Sequence, residues 1–124
     1  MSDAFEQWKS TQYAIIDALG NTVITDATTA LRWQEEEMDR AEQCGGVPLW
    51  RIGETVLDDD HSETVRISTV FSVNNLGYPG HSPLRYETLI EGGKFDGDKQ
   101  RYATRDEAAD GHRIAVQRVY TGQS

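Results

Sequence analysis

Cysteine is nearly absent from this sequence: Cys44 stands alone among 124 residues, so no internal disulfide can staple the fold. It precedes Gly45-Gly46, where a helix is expected to end and the positive surroundings that activate a thiol are lacking, so it reads as a plain thiol and not as a nucleophile. Basic residues are also scarce, with 12 Lys and Arg against 21 Asp and Glu and a net charge of −9. That balance argues against direct binding of DNA or RNA, whose phosphates require a basic surface, and leaves a basic protein as the natural partner. Apolar runs never exceed a few residues, so no membrane span is expected. The opening Met1-Ser2-Asp3-Ala4-Phe5-Glu6 shows no basic region followed by an apolar core, so the expectation is no secretory signal and residence in a cytoplasm.

What is present suffices for a folded chain: 37% hydrophobic residues, including three Trp, five Tyr and three Phe. The length suits one domain over 1–124, and neither an internal repeat nor a dividing linker is found. Residues 1–12 hold Phe5 and Trp8 at helical spacing but are too few for an independent helix, and read as a docking segment. Tyr13–Ile16 and Thr22–Ile24 flank a turn with Gly20-Asn21, which predicts a hairpin.

Asp26 caps a helix expected from Ala27 to Gly45-Gly46, with Ala27, Ala30, Leu31, Met38 and Ala41 as its buried stripe. On its other face Glu35, Asp39 and Glu42 fall at i, i+4 and i+7, with Glu36 and Glu37 alongside and only Arg32 and Arg40 to offset them. Like charges at these spacings repel by a few tenths of a kcal/mol per pair, and acid late in a helix opposes the macrodipole.

Pro48 opens an extended stretch through Leu57, broken at Asp58–Ser62. The next strand, Thr64 to Val73, places Val65, Ile67, Thr69, Phe71 and Val73 on a core face and Arg66, Ser68 and Ser72 on a wet one. Residues 74–83, with Gly77, Pro79, Gly80 and Pro83, form a long loop of the sort that carries function. A strand over Arg85–Ile90 and a reversal at Asp96-Gly97 lead to Arg101-Tyr102. Thr104-Arg105-Asp106-Glu107 is a capping box that starts a final helix, whose buried stripe is Ala108, His112, Ala115 and Val119. Gly111 costs that helix about 1 kcal/mol against Ala unless it permits close packing on the sheet. Residues 120–124 are expected to fray. The predicted fold is α+β, an antiparallel sheet with two helices on one face.

Groups able to carry chemistry are few and weakly patterned. Asp58, Asp60 and His61 are rich in hard oxygen ligands for a divalent cation, yet lack the glycine-punctuated spacing of a calcium loop and read better as a polar turn. His81 in the long loop, Glu87 on its strand and His112 on the last helix would supply acid–base or ligand-binding groups if the fold gathered them, although His112 on an apolar stripe reads first as a hydrogen-bonded core histidine. Tyr78, in Gly77-Tyr78-Pro79-Gly80, is the best aromatic for a partner contact. Neither a cofactor nor a catalytic set is expected.

The ordered combination Arg66-Ile67-Ser68-Thr69-Val70-Phe71, Tyr86-Glu87-Thr88, Gly92-Gly93, Asp96-Gly97, Arg101-Tyr102, Thr104, Glu107-Ala108 and Gly111-His112 resembles a family of short uncharacterised proteins of bacteriophage and prophage-bearing genomes. The likeness covers the C-terminal half. Members of that family often carry an Asp-His pair after the Ser-Thr-Val-Phe strand, where this chain reads Ser72-Val73-Asn74-Asn75, so no activity resting on that pair carries over. The resemblance implies a phage-like accessory context and a shared scaffold, without catalytic residues. The leading expectation is a non-enzymatic interaction module that binds a host or phage protein with a basic surface through Glu35, Glu36, Asp39, Glu42 and Tyr78, imitating phosphate charge. A small-ligand binder or enzyme using the 74–83 loop and a self-assembling homo-oligomer are the competing classes.

Overall fold

The computed structural model describes residues 3–58 and 63–122. Its element order is α1 (Asp3–Ser10), β1 (Tyr13–Ile16), β2 (Thr22–Thr25), α2 (Ala27–Cys44), β3 (Arg51–Asp58), β4 (Thr64–Phe71), β5 (Tyr86–Glu91), β6 (Lys99–Tyr102) and α3 (Arg105–Thr121). The mixed α+β class with antiparallel pairing is what the structure shows, and the strands form two sheets, β1-β2 and β3-β4-β5-β6. The chain forms two compact units, residues up to Trp50 with Ser72–Arg85, and Arg51–Phe71 with Tyr86 onward.

In the first unit the β1-β2 hairpin turns where the Asp17 carboxylate accepts from the Leu19 and Asn21 amides. α2 packs on β1. Asp26 caps the helix by accepting from the Thr29 amide at 2.8 Å, which holds its carboxyl below the usual pKa, and Gly45 closes it in the left-handed region at φ 68°. Because a two-stranded hairpin offers little area, α2 buries only Ala30 and Ala41 among the described residues. The expected burial of Leu31 and Met38 is therefore corrected: they are 53% and 36% exposed.

The N-terminal segment also differs in form from its sequence reading. Residues 3–10 are helical because docking supplies what eight residues cannot. The Trp8 indole donates to the Gly77 carbonyl at 3.0 Å, and the Arg85 guanidinium, 3% exposed, donates to the carbonyls of Thr11 and Gln12. Val73 belongs to this unit too, with its carbonyl accepting from the Ala14 amide, so the predicted long strand ends its sheet pairing at Phe71.

The second unit is a four-stranded meander with α3 laid across β3 to β6. The alternation of β4 behaves as its sequence implies: Val65, Ile67, Thr69 and Phe71 are all buried. Val65, Ile67 and Ile90 form the core with Ala115 and Val119 of α3, joined by Leu57, Phe95 and Val116. The Thr104–Glu107 capping box is fully made, and the helix runs through Thr121 to a left-handed Gly122. Gly111 is the close-packing glycine: a Cβ there would lie 2.1 Å from the Tyr102 hydroxyl and 2.2 Å from its Cζ.

Candidate functional site

The carboxylate face of α2 is the first site that the folded chain presents. Glu35, Glu36, Asp39 and Glu42 are all exposed, and none of them has an ion-pair partner among the described residues. Glu37 behaves differently. Its carboxylate receives Arg40 at 3.0 Å and the Leu49 amide at 3.1 Å, and the Arg40 hydrogen bond, aided by that amide, lowers its pKa despite some burial. Glu37 is thus a strut tying the helix to the segment after it, while the Trp50 indole reaches the Gln34 carbonyl at 3.3 Å. The four free acids sit on a helix fastened at both caps and along one side, so they are held without being neutralised.

The long loop has the internal order expected of a built feature. The Asn75 side chain, buried, accepts from the Gly77 and Leu84 amides at 2.8 and 3.2 Å, which fixes the loop's root. Tyr78 projects from its tip, 71% exposed. Between this loop and α1 lies an open cleft of about 500 Å³ lined by Trp8, Ser10, Thr11, His81 and Ser82 among others. His81 therefore lines a cleft within the first unit. The other two residues proposed to work with it have commitments inside the second unit.

Glu87, half-buried on β5, is ion-paired to Arg101 of β6 at 2.8 Å. His112 stands over the row Gly53, Thr69, Thr88, which pair across β3, β4 and β5. Its Nε2 lies 2.9 Å from Thr55 Oγ1 and its Nδ1 2.7 Å from Thr69 Oγ1, and Thr69 Oγ1 is in turn 2.6 Å from Thr88 Oγ1. Gly53 makes room for the ring, since a Cβ there would meet its carbons at 3.1 Å. Both ring nitrogens are engaged, one donating and one accepting in the neutral form, and burial lowers the pKa. This is the hydrogen-bonded histidine of the sequence reading, held by Thr55 and Thr69.

Asp58 is exposed and, among the described residues, receives a 3.4 Å contact from the Thr64 hydroxyl, while Asp60 and His61 lie outside the described residues. No cluster of three His, Cys, Asp or Glu placed to hold a metal occurs among the described residues. Cys44 is exposed. No helix among the described residues is long and apolar enough to cross a membrane.

Sequence reasoning missed two participants. Arg85 and Trp8 hold the N-terminal segment, and only tertiary contacts reveal that. Leu31 and Met38 were assigned to the core, yet Ala30 and Ala41 lie on a line of the helix roughly 80° away from them, a separation legible from 100° per residue. Comparison of the chain with protein-family models, curated proteins and solved structures found no match.

Proposed function

We propose that this chain is a small acidic, non-enzymatic interaction module that binds a basic surface of a host or phage protein, in the host cytoplasm, through Glu35, Glu36, Asp39 and Glu42 with Tyr78 as an aromatic contact. The observation that carries this reading is the set of four exposed carboxylates on the anchored helix α2, none of them ion-paired among the described residues. Unpaired acids in the second half of a helix cost stability, and their retention is accounted for by a partner that neutralises them. Negative charge arrayed on a rigid rod also imitates phosphate, which suits occupation of a nucleic-acid-binding surface on a defence or replication protein. The resemblance of the C-terminal half to phage and prophage proteins motivates the accessory context. The test is capture from infected-host lysate by the tagged chain and by its Glu35→Lys, Glu36→Lys, Asp39→Lys, Glu42→Lys variant. A stoichiometric basic protein retained by the first and lost by the folded second supports the reading; equal retention by both contradicts it.

The cleft beside the 74–83 loop favours a second reading, a small polar ligand held by Ser10, Thr11 and His81. Thermal shift in a ligand panel that disappears in His81→Ala would favour it over the first.

A further inference from the structure

We infer that the line Leu31, Glu35, Met38, Glu42 on α2 is a docking seam for a basic amphipathic helix of the partner, an inference that rests on the interaction reading above and specifies what form the basic surface takes. The four residues fall at i, i+4, i+7 and i+11, one continuous stripe in which apolar and acidic side chains alternate. Leu31 and Met38 are 53% and 36% exposed, and seven residues separate them, about 10 Å along the axis. Scattered exposed apolar side chains are ordinary on a protein surface. Two at heptad spacing, interleaved with unpaired carboxylates on a helix locked by two caps and the Glu37 strut, form a pattern that only some partners can match.

Charge and burial together select among occupants. A purely polar basic surface would engage the acids and leave Leu31 and Met38 wet. A purely apolar groove would strip water from Glu35 and Glu42 without pairing them, at high cost. A second copy of this chain would bring carboxylates against carboxylates, with −9 on each molecule. A helix with aliphatic residues at heptad spacing and Lys or Arg beside them satisfies both sets at once: its apolar side chains cover Leu31 and Met38, and its cations meet Glu35, Asp39 and Glu42.

The test uses two labelled synthetic peptides of about 21 residues, three heptads, with the same Leu and Lys content. One has Leu at heptad spacing; the other is shuffled so that no apolar face forms. Anisotropy titrations against the full chain should show the amphipathic peptide binding at least about tenfold more tightly. The Leu31→Asn, Met38→Asn variant should erase that difference while leaving the shuffled peptide unchanged, and Glu35→Gln with Glu42→Gln should weaken both. Equal binding of the two peptides to the wild type, sensitive only to the charge variant, would overturn the seam and leave the acidic-face reading standing. Absence of binding by either peptide would overturn both. A discrete dimer of the chain alone that dissociates in the Leu31→Asn, Met38→Asn variant would also overturn the inference, by assigning the face to self-association.

Discussion

Substitution Gly111→Ala separates helix propensity from tertiary packing at one position. In an isolated helix the change should stabilise by about 1 kcal/mol, because glycine has more backbone freedom to lose. Here the new methyl would lie 2.1 to 2.4 Å from the hydroxyl, Cζ and Cε1 of Tyr102, so the aromatic ring itself, and not merely its tip, has to move. Tyr102 is half-buried on β6, and displacing a ring of that kind costs about 2–3 kcal/mol in lost contact and overpacking. The net expectation is a loss of about 1–2 kcal/mol, a fall in Tm of about 3–7 °C. In a Tyr102→Ala background the sign should reverse, with Gly111→Ala now stabilising by about 1 kcal/mol. Urea unfolding followed by far-UV circular dichroism is the appropriate assay, since all three tryptophans lie in the first unit and fluorescence would report that unit. Stabilisation by Gly111→Ala in the wild-type background would refute the packing assigned to Tyr102.

Other consequences follow from the same contacts. Burial holds the His112 pKa below its ordinary 6.5, so the unfolded chain binds that proton more readily; stability should be complete above about pH 6.5 and fall as pH drops from there toward the folded ring's lowered value. Urea midpoints across that window, compared with His112→Gln, should show the extra slope in the wild type alone. Thr104→Ala, which removes the hydroxyl side of the capping box, should cost about 1 kcal/mol by thermal unfolding. Glu42→Gln should raise stability by a few tenths of a kcal/mol, because it removes an unpaired acid from the last turns of α2; a measured loss would mean that Glu42 has a stabilising partner.

Local signals were read from sequence most securely where the physics is local. Asp26 and Thr104 are caps because their side chains need only the next three amides, and β4 alternates because one face meets α3. His112 was legible as a hydrogen-bonded histidine from its place on the α3 stripe, although its threonine partners, Thr55 on β3 and Thr69 on β4, were not. Leu31 and Met38 lie about 80° around α2 from the buried Ala30 and Ala41, a separation the residue spacing carries; that β1-β2 offers too little surface to bury both lines shows only in the fold. The helical state of residues 3–10 depends on Trp8 reaching Gly77 and on Arg85 holding Thr11 and Gln12, contacts about seventy residues apart in sequence. The acidic face was visible at once as a spacing of carboxylates; that Glu37 is spent on a structural strut while its four neighbours are not emerged only from the fold.

The most direct test of the interaction account is a titration of the captured partner against the chain from about 50 to about 500 mM salt, repeated with Glu35→Gln, Glu36→Gln, Asp39→Asn, Glu42→Gln. The account predicts affinity that falls steeply with salt in the wild type, and a loss of at least about tenfold, or 1.4 kcal/mol, on neutralisation at low salt. Affinity independent of salt and unchanged by the four substitutions would contradict it.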